Sequence, residues 1–319
     1  LKALDRPDAE LQRMVVDTLA IAHKRGMKGL ADAKPRMLEL AKKSDQNVDV
    51  LRAIAQTLIV MDQRDQAEML AKLAVEYGAS IGQIVEPAMG RWKSPVMQKV
   101  WLQRVTDANS SQTMMTLAIN GLGMLEVAEA VDPITNLLKN TGESLQLRIA
   151  AARVLGNLRT EGLVDLAQSL LDLPSRPPEL HPLLAIELLG RHDKAAAIEM
   201  LTKLVSHEST VVQSEALERL YEIDFQLVDQ HAEKLISSHD ANVRRWIAKA
   251  MVDKQDLGRI VMLCSLLDDV NPSLRRQVAT GLIKLAEIDE LHDEVIDRTM
   301  DVLNQDQWRG CEQAVVVLT

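Results

Sequence analysis

The chain has 319 residues, 47% of them hydrophobic but only 2% aromatic, with 37 Lys and Arg against 46 Asp and Glu. Four Trp, two Tyr and one Phe are too few for most sandwiches, barrels or base-stacking platforms, and the apolar share rests on Leu, Ala, Val, Ile and Met, a helix-forming set. Cys264 and Cys311 are the only cysteines, which excludes a disulfide framework and any CxxC metal or haem motif, and no apolar run approaches the roughly 18 residues of a membrane-spanning helix.

An apolar residue, often followed by Arg, recurs along the chain with further apolar residues four and eight places on. The copies begin at Leu11, Leu51, Ile81, Met114, Leu147, Leu180, Val212, Val243, Leu274 and Trp308. After a first interval of 40 residues, the spacing stays between 30 and 34. The fifth positions are apolar in nine of ten copies, Glu312 being the exception, and the ninth positions, from Leu19 to Val316, in all ten. Spacings of four and eight place these residues on one face of an α-helix.

The first interval holds His23–Gly29, a basic turn read as a tolerated surface insertion or a binding loop. Between the repeat helices lie further amphipathic segments, at 67–77, 96–105, 133–139, 163–171, 195–205, 227–236, 257–267 and 294–303. Pro87 should kink the helix that carries it or delay its start. Ser94-Pro95, Asp132-Pro133 and Asn271-Pro272 each place a capping side chain before a proline at a helix start. Gly121-Leu122-Gly123 reads as close helix packing, and Pro174–Pro178 with Pro182 predicts a softer joint near residues 174–182. A unit of about 31–33 residues thus holds two short antiparallel helices, neither able to bury its apolar face alone, so the units must stack. The expected fold is all-α, a single solenoid over residues 1–319 of about ten stacked helix pairs.

Asp240 followed by Val243-Arg244, Ile247-Ala248 and Met251 resembles the second helix of a HEAT repeat, and the short period is similar to the HEAT-like repeats of phycobilisome lyases. The resemblance implies a right-handed α-α superhelix in which Arg52, Arg148, Arg244, Arg275 and Arg309 form a structural ladder, bonding acidic groups or carbonyls at the preceding turn. Gln12, Gly82, Met115, His181 and Gln213 depart from that pattern and are expected to break the ladder. The segment Trp308–Gln313 is similar to large multidomain bacterial proteins that carry such repeats beside catalytic or haem domains. With the chain beginning at Leu1 and ending in an apolar run, it implies a segment of a longer polypeptide.

Charge is unevenly spread: residues 1–160 carry 21 Lys and Arg against 18 Asp and Glu, net +3, and residues 161–319 carry 16 against 28, net −12. An acidic chain of pI about 5.4 argues against nucleic acid, whose binding rests on neutralised phosphates, and leaves a HEAT-type glycosylase as a distant alternative. No phosphate-cradling or nucleophile-elbow motif occurs. The repeated His-Glu pairs of HEAT-type hydroxylases are reduced to His207-Glu208 at a turn. No metal or cofactor is therefore expected; a groove-based lyase or hydroxylase is the first alternative and the nucleic-acid-binding protein the second.

One cluster stands out. Third and seventh helix positions off the buried stripe bring together Arg245, Lys249, Arg276 and Thr280, with Trp246 beside them and Lys284 a turn further on. Two readings stay open: a concave site for an acidic peptide or phosphate group, or solvated charge paired with Glu215, Glu218 or Glu222. The leading expectation is a noncatalytic scaffold whose concave face binds another protein or a neighbouring domain of the same polypeptide, in the cytoplasm or periplasm.

Overall fold

A computed structural model of the protein describes residues 2–30, 32–43, 46–159, 161–174, 176–190 and 192–319. All regular structure among these residues is helical. The chain forms two compact units, residues 1–160 and 161–319, which divide where the charge balance changes sign.

In the first unit the helices are α1 (Ala9–Lys24), α2 (Ala33–Ala41), α3 (Val48–Val60), α4 (Ala67–Glu76), α5 (Ala79–Arg91), α6 (Gln98–Thr106), α7 (Gln112–Leu125), α8 (Val131–Lys139) and α9 (Leu145–Leu158). One layer is built by α1, α3, α5, α7 and α9, each packed on the next, and the even-numbered helices cover it. The second unit contains α10 (Leu163–Leu171), α11 (Leu180–Leu189), α12 (Ala195–Leu204), α13 (Thr210–Ile223), α14 (Phe225–Asp229), α15 (Ala232–Leu235), α16 (Ala241–Lys254), α17 (Leu257–Ser265), α18 (Pro272–Ala286), α19 (Asp289–Leu303) and α20 (Trp308–Leu318). Here the layer runs α11, α13, α16, α18, α20.

All ten repeat copies lie on the helices of these two layers, and eight of the ten fifth positions are buried, as are eight of the ninth. The reason is simple: a helix of 9 to 16 residues gains little from its own hydrogen bonds and is held by the apolar stripe it hides against its neighbours. Side chains fix the starts. Asp8, Asn47, Ser111, Ser144, Asp240 and Asn271 each accept a hydrogen bond from a backbone N–H of the first turn, meeting donors that would otherwise lack a partner.

Several expectations are corrected. In α1 the buried stripe is Gln12, Val16, Leu19 and Ala22, one residue beyond the copy that begins at Leu11. In α20 it is Gly310, Gln313, Ala314 and Val317, while Trp308 is 67% exposed. α19 starts at Asp289 rather than near residue 294; Asp289 and Glu290 in its first turn favour an early start through the helix dipole. α5 runs through Pro87 and begins at Ala79, ahead of its repeat start. Ser94 makes no side-chain cap, and α8 already includes Asp132. The 227–236 segment is two short helices, α14 and α15.

The Gly121 and Gly123 positions allow close approach. A Cβ on Gly121 would stand 2.6 Å from the Trp101 ring, and one on Gly123 would stand 2.8 Å from Val154.

Candidate functional site

In several layer helices the second repeat position bonds a main-chain carbonyl of the segment before the helix. Arg148 is 1% exposed and its Nε donates to the Leu138 carbonyl at 2.8 Å. Arg244 forks onto both carboxylate oxygens of Asp269, at 2.6 and 2.7 Å, and donates to the Ser238 carbonyl. Arg275 donates to the Asp269 carbonyl at 2.8 Å. Arg52 and Arg309 do not share this arrangement. α3 is rotated so that Val50, Leu51 and Ile54 are buried and Arg52 is exposed. The shifted register of α20 leaves Arg309 with its guanidinium 5.3 Å from the Trp308 ring.

Three residues expected to interrupt the ladder instead continue it. Gln12 Nε2 donates to the Leu4 and Arg6 carbonyls at 3.1 and 2.7 Å, Gln213 Nε2 to His207 at 2.7 Å, and His181 Nδ1 to Leu173 at 3.1 Å. In α20 the Cys311 thiol points at the Gln305 carbonyl, 3.1 Å away. A search for any donor at the second position, rather than for Arg, would have found the first three; Cys311 stands two places further on in its copy. At Gly82 the polarity is inverted: Glu86 of the same helix fills the space and accepts from Trp101 Nε1 at 2.8 Å and Arg104 Nη1 at 2.7 Å.

Of the predicted partner-binding residues, all five line one groove between α16 and α18, of about 580 Å³. Arg245, Lys249 and Trp246 stand on α16, Arg276 and Lys284 on α18, and Val252 with Gly281 lies between. The absence of a Cβ at Gly281 lets Val252 Cγ2 approach to 2.5 Å from where one would stand, so the two helices close the groove floor. Tyr221 of α13, missed in the sequence, does not line the groove but supports the α16 side chains that do. Its ring lies 5.4 Å from that of Trp246, and the Lys249 ammonium sits 4.1 Å from the Tyr221 ring centre and 4.8 Å from that of Trp246, a cation held on two π faces. The Tyr221 hydroxyl donates to Asp253. Burial first, and then the Asp253 carboxylate, pushes this phenol up to about 12, so it remains a neutral donor.

Several arginines elsewhere in this unit are paired with carboxylates. Arg219 pairs with Glu187 and Glu222, Arg244 with Asp269, Arg259 with Asp229 and Glu233, and Arg298 with Glu294 and Asp301. Among the described residues, none of Arg245, Lys249, Arg276 and Lys284 lies within 4.0 Å of a carboxylate. Arg245 bonds only the Asn242 amide oxygen, at 3.2 Å. Asp253 is the single carboxylate in the lining, and Tyr221 already occupies it. The groove therefore offers cations, the Trp246 ring and amide and hydroxyl groups, a set suited to holding an anion.

Elsewhere, no group of three or more His, Cys, Asp or Glu among the described residues is arranged to hold a metal ion. The His207 Nδ1 accepts from the Ser209 N–H at 3.0 Å, and His207 acts as a turn residue. Both cysteines are free thiols. Burial pushes the Cys264 thiol up to about 11, and only the thiolate is nucleophilic. Iodoacetamide at pH 8 is accordingly expected to leave Cys264 unmodified in the folded protein and to alkylate it in urea, as peptide mass spectrometry would show; rapid labelling without denaturant would contradict this burial. No helix among the described residues is long and apolar enough to cross a membrane.

No family model matches the chain, and no curated protein matches it. Among solved structures, the CpcE–CpcF complex of phycocyanin lyase from Nostoc is 16% identical, with 79% of this chain and 94% of that one covered and a TM-score of 0.39. Kap95p, from a structure of its binding to RanGDP, is 12% identical over 98% of this chain and 43% of its own, with a TM-score of 0.46. Kap121p is 10% identical over 99% of this chain and 46% of its own, with a TM-score of 0.41. The likeness extends to the stacked-helix fold alone.

Proposed function

We propose that the protein is a noncatalytic scaffold that binds an acidic segment of another protein, or of a neighbouring domain of the same polypeptide, in the groove between α16 and α18. The observation that carries this reading is the set of four cations lining one groove, none within 4.0 Å of a carboxylate, in a unit of net charge −12. Holding such charges together unneutralised costs energy that a bound anion would return, and the half-buried Trp246 is the type of side chain that anchors interfaces. The surrounding acidic surface disfavours long polyanions such as duplex DNA.

The test is the double reversal Arg245→Glu with Arg276→Glu. Both residues point away from the core, so the melting temperature should change little. A partner retained by the wild type should be lost by at least tenfold in affinity, since two attractive contacts become repulsive. It should also shield the Lys249 and Lys284 amines from acetylation. Unchanged binding by the reversed protein, with both amines still reactive in the complex, would place the partner elsewhere.

A further inference from the structure

The groove has a direction and a spacing, and these specify its occupant more closely. Gln277 Nε2 donates to the Arg245 carbonyl at 3.3 Å, and Gly281 meets Val252. Both contacts join residues about 30 apart, at two points in the same order, so α16 and α18 run parallel. Arg245 stands level with Arg276, Lys249 with Thr280, and Asp253 with Lys284. At 1.5 Å per residue these three levels lie about 6 Å apart, spanning about 12 Å in all.

An extended peptide rises about 3.3 Å per residue and turns successive side chains to opposite sides. Laid along the groove, its first, third and fifth residues face α18 at about 0, 6.6 and 13 Å, opposite Arg276, Thr280 and Lys284. Its second residue faces α16 between Arg245 and Lys249. Its fourth faces the stretch from Lys249 to Asp253, where a carboxylate would meet a like charge.

On the reading given above, we infer that the groove selects an extended segment with two adjacent acidic residues at the Arg245–Arg276 end and a third acidic residue at the Lys284 end, three positions from its nearest acidic neighbour. The intervening position beside Asp253 is not acidic. The two chain directions correspond to acids at positions 1, 2 and 5 or at positions 1, 4 and 5.

Fluorescent peptides of one composition, with three glutamates placed at 1, 2 and 5, at 1, 4 and 5, or at 1, 3 and 5, test this against the 319-residue protein by anisotropy. One of the first two should bind about threefold to fivefold tighter than the 1, 3, 5 peptide, the worth of one added exposed ion pair. In Lys284→Glu, an exposed change that leaves the core intact, the preference should invert for a peptide whose lone acid is replaced by lysine, and for no other position. Equal binding of all three peptides, still abolished by Arg245→Glu with Arg276→Glu, would overturn the spacing and leave the groove as an unspecific anion site. If no peptide bound and the double reversal spared the partner, the groove itself would be excluded.

Discussion

Replacing Arg244 by methionine is expected to destabilise the 161–319 unit by about 3–5 kcal/mol, the usual cost of removing one member of a buried ion pair. The Arg244 and Asp269 side chains are 8% and 6% exposed. Without the guanidinium, the Asp269 carboxylate keeps one partner, the Asn271 N–H at 2.7 Å, and its charge stays largely out of water. The loss reaches further than one pair of helices, because the Asp269 carbonyl receives Arg275 and the Asp268 carboxylate receives the Gly310 N–H at 3.1 Å. This short loop before α18 is thus bonded from α16, α18 and α20. Urea unfolding followed by circular dichroism measures the change. The double variant Arg244→Met with Asp269→Leu should recover much of it, since well-packed apolar residues often replace a buried pair without loss. A single-variant effect below about 1 kcal/mol would mean that the pair is screened as at a surface.

Glu86→Ala is the counterpart in the first unit, with an expected cost of about 3 kcal/mol. The Glu86 side chain is 0% exposed and receives both the Trp101 indole and Arg104. Its removal leaves a buried N–H and a largely buried guanidinium unpaired, penalties of about 1–3 kcal/mol each. The neighbourhood has little room to adjust, because the Trp101 ring is fully buried and pressed against Gly121. Glu86→Gln retains an oxygen acceptor and should lose markedly less. Equal melting temperatures for the Ala and Gln variants would show that hydrogen bonding to this side chain contributes nothing.

The repeat was legible because stacking imposes it: Leu147, Val243 and Leu274 begin stripes that must be apolar wherever a helix lies between two others. Legibility declined at α1 and α20, the first and last of these helices, where Leu11, Trp308 and Val316 are apolar without being buried and a stripe cannot be told from its neighbour by hydrophobicity alone. The groove residues followed from helix geometry, since third and seventh positions on adjacent parallel helices must adjoin. Tyr221 did not, because it belongs to the preceding helix and reaches the site only through Asp253 and Lys249. The Glu86–Trp101–Arg104 cluster was equally unreadable. Its members are 15 and 18 residues apart in the chain, a separation unrelated to the repeat period.

Five of the polar links made from the second repeat position end on main-chain oxygens, at Leu4, Leu138, Leu173, His207 and Asp269. A carbonyl is present whatever residue supplies it and accepts equally from guanidinium, amide or imidazole. Such a joint leaves the sequence free to drift: two chains could share every one of these links and still have few identical residues at the positions that make them.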